Sequence, residues 1–320
     1  MAHHSRLDAY RERVVGGPLI PTLLRLGAPP MLSQLLNLMY GVLNSLWLSL
    51  YSEVAVAVPR QVFPVQMLFT SVINALNTAG TSLVSQYVGA RMYGEVRREA
   101  SRLFTAAAGA GACCFAAFFA LRPLVFTHVV ATPPEIYGHV MSYTAVSAFN
   151  VMLSSMVLSL TTVLNALGET RLPSLINLAG VLVNTSLDPL FILGLGGVPR
   201  LGPLGSALTD TIGLTLSLAL LALLFRRRFA EVRPGFTRDF SPAWVKLVAR
   251  VGGPVAAMSA LNSSAFMVQL RLVNSFGVEV AQAYAIGFIV LDIADAALWG
   301  LSGSIAVIVG QLLGAGEGER

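Results

Sequence analysis

Long apolar runs alternate with short polar stretches along the whole 320-residue chain. A helix that crosses a bilayer needs about 20 mostly apolar residues, and eight stretches meet that length. The predicted spans are 20–46, 54–84, 103–129, 138–164, 173–195, 204–225, 249–273 and 280–313. Several are longer than a bilayer requires, so we expect tilt or a continuation beyond the membrane. The pattern therefore predicts an all-α polytopic membrane protein.

The composition supports this class. Hydrophobic residues make up 55% of the chain, only 12% is charged, and the mean hydropathy is +0.71, whereas soluble proteins carry about 25% charged residues. The net charge of +5 does not indicate a nucleic-acid partner, because the basic residues lie mostly in the loops between apolar runs. The adjacent Cys113 and Cys114 fit neither a disulfide framework nor a metal motif.

Loop charges predict the orientation. Basic residues concentrate before the first span and after the second, fourth and sixth spans, whereas the alternate loops hold little more than Arg122, Arg200 and Arg271. Loops rich in Lys and Arg stay in the cytoplasm. We therefore expect a multi-pass protein of the plasma membrane with both termini cytoplasmic.

An internal repeat divides the chain. LRLGAPP (24–30) returns as ARVGGPV (249–255), and SQYVGARMYGE (85–95) returns as GQLLGAGEGE (310–319), at an offset of about 225 residues and with parallel orientation. The repeat predicts a six-helix N-terminal lobe, a cytoplasmic linker and the first two helices of a second lobe, at 1–228, 229–248 and 249–320. The linker is either a plain connector with orientation charges or an interfacial helix whose basic face touches anionic membrane lipids.

Asp188 is the polar residue of greatest interest, because it lies in the apolar run INLAGVLVNTSLDPLFILG (176–194). An ionised Asp at the centre of a membrane helix costs about 2.5–3.5 kcal/mol, so a proton, a cation or a polar partner must offset it. Asn184 lies four residues earlier, on the same helical face. Pro189 has no N–H and should kink the helix. The pattern predicts a site for H+ or Na+, with a neutral or paired packing residue as the alternative.

Several motifs carry a family resemblance. SQYVGA and GQLLGAG form a pair at helix ends, and they are accompanied by three loop and helix motifs: NALGETRLP (165–173), NTSLDPLFI (184–192) and GPLGSALTDTIG (202–213). Their order and spacing resemble the multidrug and toxic compound extrusion (MATE) family, and more closely its archaeal, DinF-like type. The resemblance implies two six-helix lobes that face a central cavity, and a chain that is truncated at its C-terminal side.

The resemblance also implies a cation site in the first lobe, built in archaeal-type members from an Asp on helix 1, an Asn and an Asp on helix 5 and a Thr on helix 6. Here the helix 5 pair is Asn184 and Asp188, Asn44 replaces the helix 1 acid, and Asp210 takes the Thr position between Thr209 and Thr211. We hypothesise that Asp188 and Asp210 form a carboxylate pair with Asn44 and Asn184 as neutral ligands. The alternative is that Asp210 points to the outer loop as a solvated or helix-capping acid.

A substrate cavity is the second predicted feature. Asp292 and Asp295 are three residues apart in the eighth span and share a helical face. They are expected either to line the cavity, where a cationic substrate would bind, or to pair with Arg271 or with helices of another lobe. Tyr143 and Gln34 are further candidates for the cavity lining, with core packing as the alternative.

Enzyme motifs are absent from the sequence: there is no nucleotide P-loop, no H-E-x-x-H and no G-x-S-x-G. We expect no catalysis, no cofactor and no metal beyond Na+. The predicted function is secondary active transport, in which an amphipathic, cationic organic compound is exported in exchange for H+ or Na+. The alternatives are a lipid or lipid-linked saccharide flippase of the related superfamily and a truncated, non-transporting remnant. A partner chain or a homo-oligomer would complete the second lobe.

Overall fold

Nine α-helices follow one another in the computed structural model, which describes residues 6–318 without the side chains of residues 6, 285, 289, 290 and 292–300. Their bounds, numbered in chain order, are α1 Arg6–Val15, α2 Leu19–Tyr51, α3 Ala57–Gly89, α4 Tyr93–Leu124, α5 Pro134–Ala166, α6 Arg171–Leu193, α7 Pro203–Arg228, α8 Pro242–Asn274 and α9 Val278–Ala315. A π-helical turn, Val125–Val129, extends α4.

Helices α2 to α9 confirm the predicted all-helical class, and each coincides with one of the eight apolar runs. Five segments are long and apolar enough to cross a membrane by length and composition: Tyr93–Val129, Pro134–Ala166, Arg171–Leu193, Pro203–Arg228 and Pro242–Asn274. The outer surface of α2 exposes Ile20, Leu24 and Leu50 by more than half. Such apolar faces suit a hydrocarbon surrounding.

Two stretches differ from the sequence-based expectation. Helix α1 was not predicted, because its ten residues are mainly polar; it nevertheless buries Leu7, Val14 and Val15 against the ends of the larger helices. Helix α8 begins at Pro242, inside the predicted linker. Ser241 caps it by accepting a hydrogen bond from the Trp244 backbone N–H, a favourable cap ahead of the proline at the first helical position.

Helices α2 to α7 pack as one bundle, in which α5 contacts α3, α4 and α7, and α6 lies between α2 and α7. Two apolar clusters fill it. One surrounds Phe118, Phe126 and Ile136 near the ends of α4 and α5 that meet at the 125–133 turn. The other surrounds Leu164 and Phe225 at the opposite end of the bundle. The polar residues of interest lie on α2, α6 and α7.

Helices α8 and α9 pack on α3 and α2. Near one end, α3 and α9 cross so closely that a Cβ added to Gly89 would lie 2.1 Å from the Gln311 carbonyl oxygen, and one added to Gly314 would lie 2.0 Å from that of Gln86. These residues belong to the two copies of the repeated helix-end motif. The two copies of the motif therefore face each other across the contact between α3 and α9.

The opposite end of the same contact is polar. The amides of Gln61 on α3 and Asn274 on α8 are buried and exchange two hydrogen bonds, of 2.7 and 2.9 Å. Asn274 also donates to the Val130 carbonyl at 3.0 Å. Glycine packing thus joins α3 to α9 at one end of α3, and a reciprocal amide pair joins α3 to α8 at its other end.

Candidate functional site

Three neighbouring helices each carry two polar side chains four residues apart, and these pairs converge. Residues at i and i+4 lie on one face of a helix, so each pair points in one direction. The pairs are Tyr40 and Asn44 on α2, Asn184 and Asp188 on α6, and Ser206 and Asp210 on α7. Hydrogen bonds connect α6 and α2 to α7 through these side chains.

Glycines allow α6 and α7 to approach each other. A Cβ added to Gly205 would lie 2.5 Å from the Phe191 carbonyl oxygen, and one added to Gly213 would lie 2.1 Å from Asn184 Oδ1. Both distances are well below van der Waals contact, so no larger residue fits without a shift. The glycines of the 202–213 motif therefore set the distance at which side chains of α6 and α7 meet.

Asp188 is fully buried between the two helices. Its Oδ1 accepts a hydrogen bond of 2.5 Å from the Thr209 hydroxyl. Its Oδ2 is buried and has no hydrogen-bond partner among the residues that the structure describes, and the same holds for Asn184 Oδ1. Buried polar atoms are normally paired. Two unpaired oxygens one helical turn apart are therefore a place where a small cation or a proton would be stabilised.

Asp210 faces the interior of the bundle and not the outer loop. Its Oδ1 accepts hydrogen bonds from the Tyr40 hydroxyl at 2.9 Å and from Asn184 Nδ2 at 3.1 Å. Asn184 therefore directs its N–H group to Asp210 and leaves its oxygen free. Asn184 and Tyr40 thus hold the Asp210 carboxylate, whereas Thr209 holds that of Asp188.

Two of the predicted ligands lie beside this centre. Asn44 Oδ1 accepts a hydrogen bond of 2.8 Å from the Ser206 hydroxyl. The Thr211 hydroxyl donates to Asn150 on α5 at 2.7 Å, and on a helix it points about 200° away from Thr209. Neither residue makes a hydrogen bond to Asp188 or Asp210 in the described part of the chain.

A cavity of about 230 Å³ opens next to Asp210 and Asn184. Tyr143 lines it and is at the same time part of the buried core around Phe118, so its role in a substrate cavity stays a prediction. Gln34 is exposed and accepts a hydrogen bond of 3.2 Å from Asn37, which does line it. Within the described residues, its wall holds one acid, no basic side chain, and many amides and hydroxyls. The side chains of Asp292 and Asp295 lie outside the described residues.

Pro189 follows Asp188 within α6, which continues to Leu193 and ends at Gly194 with a left-handed φ of 77°. The proline cannot donate to the Thr185 carbonyl, so a backbone acceptor lies one helical turn before it without its usual partner. The conformational role of Pro189 stays a prediction.

Sequence reasoning missed Tyr40 and Ser206 as residues of this site, and Asn150 as the partner of Thr211. The spacing of the polar pairs was an available signal, because Tyr40 precedes Asn44 by four residues and Ser206 precedes Asp210 by four. A tyrosine or serine in an apolar helix is usually a packing residue. Tyr40 and Ser206 differ from such residues because the polar pairs of α2, α6 and α7 meet in the structure.

Comparison with known proteins places this geometry in context. The MatE family model matches residues 29–190, which is half of the chain. The chain is 27% identical over 309 residues to a probable multidrug resistance protein NorM of Thermotoga maritima, covering 93% of this chain and 64% of that protein. It is 31% identical over 160 residues to a FAD transporter of Shewanella oneidensis, covering 49% of this chain and 35% of that protein. The chain thus spans about one third to two thirds of these relatives.

Solved structures show the same fold. A MOP superfamily transporter from Pyrococcus furiosus superposes with a TM-score of 0.81 at 19% identity, covering 95% of this chain and 67% of the other. A mutant of the Vibrio cholerae MATE transporter VcmN gives 0.80 at 20% identity, covering 97% and 68%. At this identity the likeness concerns the fold alone.

Proposed function

Because the chain belongs to the MATE family, we propose that it takes part in secondary active transport, exporting an amphipathic organic cation in exchange for H+ or Na+. Family membership rests on the match over residues 29–190. The chain is a multi-pass membrane protein, with five segments that qualify as spans by length and composition. The proposed location is the plasma membrane, with α1 on the cytoplasmic side as the loop charges predict.

One observation carries the proposal: among the described residues, buried Asp188 has a carboxylate oxygen without a hydrogen-bond partner, and so has the amide oxygen of Asn184, one helical turn earlier on the same face of α6. Acids in this position within membrane proteins mark ion or proton pathways. Oxygen ligands suit hard cations, and two carboxylates near one amide do not both ionise cheaply. The pair would therefore exchange a proton or a Na+ with the solvent.

The proposed cycle uses this site as the source of a conformational bias. A cation that enters from the outer side binds between Asp188 and Asn184, while Tyr40 and Asn184 hold Asp210. Occupancy reduces the repulsion between the carboxylates of Asp188 on α6 and Asp210 on α7 and favours one arrangement of the two helices around Pro189. A ligand shifts a conformational equilibrium only by its differential affinity for the two states, so substrate release must follow from a change of this geometry.

The substrate is proposed to bind between the lobes. The cavity beside Asp210 holds about 230 Å³, below the ~300–1,000 Å³ of pockets for drug-sized ligands. It suits an ion and its water, whereas an organic compound needs the space between lobes, where Asp292 and Asp295 are the proposed contacts. The relatives named as multidrug resistance proteins support an organic substrate. A partner chain or a second copy is proposed to complete that space.

The first test measures accumulation of ethidium in efflux-deficient cells that express the chain. We expect the wild type to lower accumulation and Asp188→Asn to abolish that effect. Glu135→Gln, which neutralises an exposed acid in the first turn of α5, should behave as wild type. Equal accumulation in cells with the empty vector and in cells whose membranes contain the inserted wild-type chain would contradict transport by this chain.

Ion binding is tested separately, because it does not need a complete transporter. A ligand that binds only the folded protein stabilises it by about 2.7 kcal/mol at 100 times its Kd. We therefore expect Na+, or a lowered pH if the ion is H+, to raise the melting temperature of the purified wild type but not of Asp188→Asn. If Asp188→Asn keeps the full shift in melting temperature, Asp188 is not part of the ion site.

A further inference from the structure

A second cavity lies where the connector between α7 and α8 folds against the first turns of α4. It holds about 650 Å³, within the ~300–1,000 Å³ of typical ligand pockets. Three chain segments form its wall: the start of α4, the last turn of α7 and the connector at 230–237. Its lining includes four arginines: Arg97, Arg98, Arg226 and Arg233. We call it the arginine cavity.

Hydrogen bonds hold the connector in place, so the cavity is a built feature. The Gly235 N–H donates to the Ser101 hydroxyl at 3.1 Å, and the Thr237 N–H donates to that of Thr105 at 3.0 Å. Arg102 donates to the carbonyl oxygen and the carboxylate of Asp239, at 2.6 and 3.0 Å. The connector is thereby attached to two successive turns of α4.

Only one of the four arginines is neutralised. Arg98 donates to Asp239 at 2.5 Å, which lowers the pKa of that carboxyl group to about 2 and keeps it ionised at neutral pH. Arg98 also lies 3.8 Å from Glu95. The other three arginines have no ion-pair partner among the described residues. Orientation in the membrane accounts for basic loops, but not for three unpaired guanidinium groups that line one cavity.

We propose that the arginine cavity binds a phosphate-bearing anion, presented by the headgroup of an anionic phospholipid. Guanidinium groups match phosphate oxygens in bidentate geometry, and the amino end of α4 adds a positive dipole. Phe236 in the cavity wall is 74% exposed, and its ring lies 5.3 Å from that of Phe104. An exposed phenylalanine next to basic side chains suits the boundary between headgroups and acyl chains of a membrane, which favours a lipid over a soluble anion.

The test compares two double variants that remove the same charge from the same segments. Arg226→Gln with Arg233→Gln alters the cavity, whereas Arg227→Gln with Arg238→Gln alters exposed neighbours that do not line it. Each purified protein is titrated with dioleoylphosphatidylglycerol, and bound lipid is counted by native mass spectrometry. We expect the cavity variant to bind about tenfold more weakly or worse, and the control to match wild type.

Two further arms distinguish the source of the anion. Dioleoylphosphatidylcholine, which has no net charge, should bind equally weakly to all three proteins. If glycerol 3-phosphate binds wild type with the same dependence on Arg226 and Arg233 while the anionic lipid does not, the site is an anion site for a soluble ligand. Equal losses in both double variants, or no loss in either, would overturn the proposal. All of these binding measurements are independent of transport activity.

Discussion

Asp188 is positioned by its partners rather than by its own helix. One carboxylate oxygen is held by Thr209 on α7, and the other has no partner in the described part of the chain. Asn184 is held in the same way, through its N–H group by Asp210. Each residue therefore keeps one fixed and one free polar atom. Fixed atoms give the site its geometry, and free atoms give it the capacity to bind an ion.

Thr209→Val removes the hydroxyl that holds Asp188. Hydrogen bonds between membrane helices contribute about 0.6 kcal/mol on average and up to about 1.7 kcal/mol, so we expect a loss of stability in that range. We also expect the ion concentration for half-maximal thermal stabilisation to shift, because the carboxylate is no longer fixed.

The matched control is Thr215→Val on the same helix. Thr215 is exposed and donates only to the Thr211 carbonyl. Thermal unfolding of both variants with and without Na+ compares them directly. An ion response of Thr209→Val that equals that of the control would show that Thr209 does not position the site.

At the scale of residues, the sequence showed the spacing of the polar residues along each helix but not the direction in which each side chain points. The four-residue interval placed Asn184 and Asp188 on one face of α6, and the structure has them there. Thr209 and Thr211 were not distinguishable, because the rotation that directs one to α6 and the other to Asn150 follows from the packing of α7 against two helices at once. Tyr40 was missed because its hydroxyl partner lies 170 residues away.

At the scale of elements, the crossing of α6 and α7 decides whether the site exists. The crossing is set by glycines, since Gly205 and Gly213 each leave no room for a Cβ. Small residues allow this approach in membrane proteins, where packing and hydrogen bonds drive helix association. The sequence predicted both helices but not the distance between them. That distance depends on which atoms of α6 lie against Gly205 and Gly213, and the sequence does not show this.

Gly213→Ala should damage the site through Asn184. The added Cβ would lie 2.1 Å from Asn184 Oδ1, so the amide must move and its bond to Asp210 is lost. Overpacking costs about 1–3 kcal/mol, and the Na+ or pH response of the melting temperature should weaken.

Gly253→Ala on α8 serves as the control, because a Cβ there meets no described atom within 4 Å. It should be neutral or stabilising by up to about 1 kcal/mol. Equal melting temperatures and ion responses of the two variants would contradict the proposed role of the crossing.

At the scale of the whole molecule, α8 and α9 pack on the rest of the bundle through α2 and α3. One end of this contact is close glycine packing against α9, and the other is the amide pair of Gln61 and Asn274. The hydrogen bonds between Gln61 and Asn274 can be replaced by bonds to water. The closely packed backbones of α3 and α9 gain no such replacement when they separate. We therefore expect the amide end to open first when the lobes move.

The strength of this connection can be measured by a double-mutant cycle. Gln61→Leu leaves the buried amide oxygen of Asn274 without the N–H of Gln61, and Asn274→Leu leaves the buried amide of Gln61 without Asn274, so each single change should be costly. Directly contacting residues couple by about 0.5–3 kcal/mol, and the double variant should therefore lose less stability than the sum of the singles. Additive losses in detergent unfolding would show that the pair does not connect the lobes.

The same pair has a consequence for biosynthesis. Gln61 and Asn274 are separated by 213 residues in sequence, and ribosomes add roughly 5–20 residues per second. The partner of Gln61 therefore emerges about 10–40 s after Gln61 itself. During that interval α4 to α7 are made while the Gln61 amide lacks its partner on α8. Insertion machinery, lipid headgroups or water must satisfy this amide until α8 arrives, so the nascent protein depends on its surroundings at a group that the finished protein satisfies by itself.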